Sequence, residues 1–388
     1  MNERDMQDKR TYLLSIYSIY TLFVAIQVFY NSNFATVHGG FLIYGLSYLC
    51  LLIFLSLIVF SLPVIIGDKQ KLLAFIILGT IFGISFIHGR FDPLLYMFFV
   101  PFVPLIVGGQ NFLLLDFKAR MISVTTLIVL SPVLGTNIVI NYANGHIRNS
   151  LGFANPNGTA LMALILCIEV ITLRQHFKRA TVWLVNVFGL IIIVGIAQSR
   201  TSMMTYMLFI LLYVFFDYKK DISELFRFLL SLVPEFMFVL SYILAWMYVS
   251  HPNGLLDKMN SLSSNRLALA GYFLNNYSST TLWGQKLMFD KDGRHIGALD
   301  NAYVNILLRK GIIPTLVVLL ILSLTIYKLG DHKHKKYLAA FITLVVVGFT
   351  ETLLFNFSYN PFLMMSVMIL ITSQTGMAED AKENISES

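Results

Sequence analysis

The sequence predicts an all-α integral membrane protein of about 12 transmembrane helices. Three observations predict it. Only 13% of the 388 residues are charged, 57% are hydrophobic and the mean hydropathy is +0.73, whereas soluble domains carry about 25% charged residues. Apolar runs of roughly 17–25 residues recur along the whole length, each able to cross about 30 Å of hydrocarbon as a helix. The alternating polarity over about ten residues that marks barrel strands is missing.

The spans fall at 11–29, 41–66, 72–88, 93–108, 120–140, 158–173, 181–197, 202–217, 229–249, 311–328, 337–355 and 360–374. The N-terminal MNERDMQDKR is polar, and the run after it is too long for a signal-peptide core, so the first span is a retained helix. The seventh and eighth spans would merge into a helix of about 35 residues, roughly 52 Å long, which no bilayer accommodates. The polar break QSRTS is therefore read as a turn between two antiparallel spans. The segment 250–310 is the longest connection; it holds turn signals at Pro252-Asn253-Gly254 together with apolar residues. It reads as a structured loop between spans 9 and 10, with short helices along the membrane surface and a helical lead-in from Asn301 to Leu308. The whole of 1–388 forms one polytopic membrane domain, with 250–310 as an extracytoplasmic subregion.

Lysine and arginine set the sides. With the N-terminus inside, the inner segments carry Arg4, Lys9 and Arg10; Lys69 and Lys71; Lys118 and Arg120; Arg174, Lys178 and Arg179; Lys219, Lys220 and Arg227; then Lys328, Lys333, Lys335, Lys336 and Lys382. Both termini are then cytoplasmic. The net charge of +7 is spread over these short loops, which fits the inner-side bias and not a nucleic-acid surface. Cys50 and Cys167 sit inside apolar runs as small core residues, suggesting neither a disulfide nor a metal site.

The same assignment gathers a set of polar residues on the outer side, where charge beside hydrocarbon is costly. Arg148 precedes GFANPNG, in which Asn155 can cap a helix beginning at Pro156 with Asn157 in its first turn. A helix N-terminus with an arginine beside it attracts anions, and guanidinium can grip phosphate with two bonds; a capped loop with a snorkelling arginine is the plainer alternative. Arg200 stands in the QSRTS turn, against the charge bias, so either a function or a headgroup anchor explains it. Arg266 opens a candidate surface helix after Ser264-Asn265. His295 and Asp300 offer general-base chemistry, although Asp300 could equally be a helix cap. Glu351 in an apolar setting needs a partner: an arginine or a substrate. Tyr303, Trp283 and Tyr359 could stack on sugar rings. His38, His88, His146 and His251 share no metal-ligand spacing, and no metal is assigned.

GFANPNG after Arg148, Ser199-Arg200-Thr201, Asn265-Arg266-Leu267, Trp283-Gly284, and Leu299-Asp300-Asn301-Ala302-Tyr303 with Gly311-Ile312 resemble the Wzy-type polysaccharide polymerases. These form part of the O-antigen polymerase/ligase superfamily. The resemblance spans roughly 145–360 in order and topology. It implies a GT-C-like glycosyltransferase of the bacterial cell membrane, active on its outer face, that builds exopolysaccharide, capsule or O-antigen. Donor and acceptor would both be oligosaccharides on undecaprenyl diphosphate, with no metal or other cofactor. A chain-length-regulating co-polymerase is an expected kind of partner, alongside membrane lipid. By the matching motifs Arg200 and Arg266 would hold the diphosphate, with Arg148 assisting. Asn301, Tyr303, Asn155, Asn157 and Glu351 would be substrate contacts or supports. The related ligases carry a histidine just before the Asn-x-Tyr segment, where this chain has Asp300; the base is thus Asp300 or His295. A ligase using the same arginines is one alternative. A transporter of lipid-linked oligosaccharide is another, but it should place charge within the spans and show internal repeats.

Overall fold

The computed structural model describes residues 3–34, 40–88, 102–141, 147–219, 221–277, 281–288, 290–291, 294–295, 297–331, 335–355 and 359–371. They are mostly helical. Among them, five helices are long and apolar enough to cross a membrane: Arg10–Tyr30, Arg179–Ile196, Arg200–Tyr218, Glu224–Ser250 and Ile312–Leu329. Leu55–Ile66, Pro156–Thr172 and Pro361–Ile371 are shorter apolar helices. Large apolar side chains such as Phe188, Met204, Leu211 and Leu316 point outward. An exterior of this kind suits lipid rather than water. The chain is an all-α protein of membrane type.

The described residues form two compact units. The first comprises 3–69 and 102–211. Helix Glu3–Tyr30 packs on Gly109–Leu130 and Gly40–Ile66, and Gly109–Leu130 packs in turn on Pro156–Thr172. Pro156–Thr172 also lies against Arg179–Leu190, whose last turns widen into a π segment, Ile191–Ile196. That packing is close. A Cβ on Gly189 would stand 2.2 Å from the Cys167 sulfur, so the small residues set the approach of the two helices. Cys167 is the core residue the sequence implies; the Cys50 side chain lies outside the described set.

Two boundaries depart from expectation. The fifth span, read at 120–140, is the helix Gly109–Leu130, followed by a turn and the hairpin Val139–Asn141 with Ile147–Asn149. Lys118 and Arg120 therefore lie within a helix rather than in an inner loop, and Arg120 is buried. The eleventh span is the helix Lys335–Val347, so Glu351 sits in the segment beyond it. Most of the fourth span falls outside the described residues, of which Phe102–Val107 is helical.

The second unit comprises 70–88 and 212–371. Helix Val233–Ser250 packs on Arg266–Asn276, Ala302–Lys310 and Lys335–Val347. A Cβ on Gly271 would meet the Ala245 carbonyl oxygen at 2.7 Å, another small-residue contact between helices. The long connection is structured, with helices Gly254–Leu262, Arg266–Asn276 and Ala302–Lys310; the last is the lead-in the sequence implies.

Two of its glycines, far apart in sequence, meet. Gly284 and Gly311 have φ of +88° and +90°, a region that side chains with a Cβ rarely adopt. A Cβ on Gly284 would lie 2.1 Å from the Arg309 carbonyl oxygen, and one on Gly311 would lie 2.4 Å from the Gly284 nitrogen. Gln285 donates to Leu308, Ile312 to Thr281 and Ile313 to Leu282 across the junction. These bonds tie the loop to the start of helix Ile312–Leu329. Gly284→Ala or Gly311→Ala is expected to destabilise the second unit by roughly 2–6 kcal/mol, from backbone strain plus overpacking. A thermal melt of the detergent-solubilised protein checks this, and an unchanged transition would refute it.

Candidate functional site

In the second unit the backbone turns sharply at Ser264 and Asn265, with φ of +57° and +66°. Asn260 holds that turn. Its side-chain nitrogen donates to the Asn265 side chain (3.1 Å) and to the Tyr248 hydroxyl (3.2 Å), and its oxygen accepts from the Ala268 amide (3.0 Å). Arg266 begins the helix that follows and is 9% exposed. Its Nη2 lies 2.6 Å from Glu351 Oε1, and its Nε lies 3.3 Å from Asp300 Oδ2. One guanidinium thus joins three stretches of chain that are separate in sequence.

The two carboxyls differ in access. Glu351 is buried, whereas 34% of the Asp300 side chain is exposed. Burial raises the Asp300 carboxyl above its ordinary range, against the pull of Arg266. Burial also pushes Glu351 up to about 7; Arg266 opposes the rise, and the Asp300 charge adds to it. A single cation serves two acids that differ in access: the buried one holds a proton more readily, and the exposed one is the carboxyl that a substrate can reach.

Asp300 does not cap the next helix. Asn301 does, accepting from the Val304 amide (3.0 Å) while donating to the Phe349 carbonyl (2.9 Å). Asn301 therefore anchors the 349–351 segment beside Asp300. The Ala302 amide adds a bond to the Gly348 carbonyl. Tyr303 is fully buried and donates to the Val345 carbonyl (2.7 Å), so it supports the fold and does not present a face for a sugar. Trp283 and Tyr359 are half-buried. The backbone of His295 pairs with Asp290 in a short hairpin; its side chain lies outside the described residues.

The first unit holds a second basic group. Asn155 caps helix Pro156–Thr172 by accepting from the Gly158 amide (2.8 Å), as the Asn-Pro pair implies. Arg148 projects from strand Ile147–Asn149. Its Nε donates to the Ala197 carbonyl (2.6 Å), and its Nη2 donates to the Asn157 side chain. Arg148 thereby ties that helix start to the turn before Arg200. Ser199 caps helix Arg200–Tyr218, its Oγ accepting from the Ser202 amide (3.4 Å). Arg200 is exposed in the first turn of this helix, where backbone N–H groups favour an anion. The π segment ends just before this turn; such segments are frequent at functional sites.

Arg148 and Arg200 consequently have different expected phenotypes. Arg148→Ala leaves the Ala197 carbonyl and Asn157 short of a donor and should lower stability by about 1.5–3 kcal/mol. Arg200→Ala should leave the melting transition in place. A matching loss of stability in both variants would show that Arg200 is structural.

Sequence reasoning missed Asn260. Its role depends on partners brought in from Tyr248 and Asn265, and no local motif marks it. It also missed a buried polar cluster at Tyr20, Asp116, Arg120 and Glu169. The Asp116–Arg120 spacing of one helical turn was a usable signal, as was a lone glutamate inside the sixth apolar run.

Fold and sites define an all-α membrane protein with buried and partly buried arginine–carboxylate groups. Comparison with family models, with curated proteins and with solved structures found no match.

Proposed function

We propose that the chain is a membrane glycosyltransferase that polymerises undecaprenyl-diphosphate-linked oligosaccharide units into a surface polysaccharide. The observation that carries this reading is the Arg266–Asp300–Glu351 group, in which one guanidinium is fixed by a buried acid beside a more accessible one. Transfer of a glycan from a lipid diphosphate has two chemical needs. The departing diphosphate gathers negative charge, which a preorganised guanidinium stabilises. The attacking sugar hydroxyl is a weak nucleophile and gains from a base.

In this reading Asp300 accepts the proton of the acceptor hydroxyl as it attacks the anomeric carbon. The bond from that carbon to the diphosphate oxygen breaks, and the growing chain passes to the new unit. Glu351 orients Arg266 and does not meet substrate. Arg266 and Arg200 each bind phosphoryl oxygens, and both substrates carry a diphosphate. Arg148 holds the turn that bears Arg200. GT-C-like architecture, about 12 spans and an outer-face site at the bacterial cell membrane belong to the same proposal. The test is a lengthening assay with purified protein and lipid-linked repeat units, followed as a ladder of products.

A second reading, movement of a lipid-linked oligosaccharide across the membrane, has one observation in its favour. Charged residues were expected at span ends, yet Asp116, Arg120 and Glu169 are buried within apolar helices, as transporters often require. Passage of a labelled substrate without growth of the chain would favour it.

A further inference from the structure

Three helices of the first unit enclose four polar side chains. Glu3–Tyr30 supplies Tyr20, Gly109–Leu130 supplies Asp116 and Arg120, and Pro156–Thr172 supplies Glu169. All are at most 2% exposed. Asp116 is well supplied with donors. Its Oδ1 accepts from the Tyr20 hydroxyl (2.6 Å) and from Arg120 Nη2 (3.0 Å), and its Oδ2 accepts from Arg120 Nε (2.9 Å). With Arg120, 2.8 Å away, it makes an ion pair.

Glu169 is different. Neither of its oxygens accepts a hydrogen bond among the described residues. The nearest cationic atom is Arg120 Nε at 3.8 Å, already engaged by Asp116. Arg120 is thus the cation that both acids face, 2.8 Å from Asp116 and 3.8 Å from Glu169. Its one charge balances one of them. Asp116 and Arg120 cancel, so an ionised Glu169 would leave one uncompensated charge in a bundle where burying such a charge is very costly.

We propose that this cluster is a proton-binding site in which Glu169 holds one proton. The ligand is the proton itself, and the site joins helices from three parts of the first unit. Raising the pH until Glu169 loses that proton sets two carboxylates against one guanidinium, so the site loosens where those helices meet.

The experiment is infrared spectroscopy of the full-length protein in lipid at neutral pH, wild type against Glu169→Gln, with thermal melts of both and of Glu169→Ala. The expected result is loss of one carboxylic-acid carbonyl band in Glu169→Gln, with its melt close to wild type, because glutamine is neutral and of the same shape. Glu169→Ala should melt lower. An unchanged carbonyl region in Glu169→Gln would overturn the proposal. So would a Glu169→Gln protein that fails to fold, since a neutral isostere must be tolerated if the native group is neutral.

Discussion

Arg266→Ala is expected to abolish growth of the glycan, with a rate loss of about 10²–10³ or more from the missing charge stabilisation alone. The substitution also leaves Glu351 buried without its 2.6 Å partner, and breaking a buried pair costs about 3–5 kcal/mol. Lost activity in this variant would therefore mix two causes. The paired change Arg266→Met with Glu351→Gln separates them, because it removes both buried charges and keeps the volume. Neutral replacement of a buried pair is often close to neutral for stability. The paired variant should melt near wild type and still make no long product. Normal chain lengthening from it would show that Arg266 has no part in the chemistry.

Asp300→Asn has the second largest expected effect. Asparagine keeps the shape of the side chain and an oxygen that can accept from Arg266 Nε, but it cannot take a proton. A lost general base lowers rate by about 10²–10⁴, while the partly exposed position should keep stability little changed. His295→Ala provides the comparison: if Asp300 is the base, that variant keeps most activity. The pH profile gives a second readout. The base works as the anion, so activity falls as pH drops through its pKa. Burial raises the Asp300 carboxyl, which places this acid limb above the ordinary aspartate range. Equal, modest losses in Asp300→Asn and His295→Ala would remove both from the role of base.

Local signals explain much of what was legible beforehand. Asn155 before Pro156 marked a capped helix start and QSRTS marked a break between two long apolar helices, whereas for helix Ala302–Lys310 the sequence offered Asp300 as a cap and the cap is Asn301. Each depends on residues within a turn or two. Arg120 was misplaced for a related reason. The stretch LLLDFKAR has a local dip in hydropathy and looks like a loop, whereas in the folded chain Asp116 neutralises Arg120 one helical turn away and both are buried. The link from Arg266 to Glu351 crosses 85 positions. The sequence could nominate both residues and state that Glu351 needed a partner, but long-range packing chose that partner. The same holds for Gly284 and Gly311, whose need for glycine comes from each other's backbone.

Extension of the glycan on purified protein tests the central claim most directly. Wild-type protein in lipid, given undecaprenyl-diphosphate-linked repeat units, should produce a ladder rising by one unit per rung. The Arg266→Met/Glu351→Gln and Asp300→Asn proteins, folded by the same melt, should leave the substrate unextended. Absence of a ladder from folded wild type, or an undiminished ladder from both variants, would contradict the account.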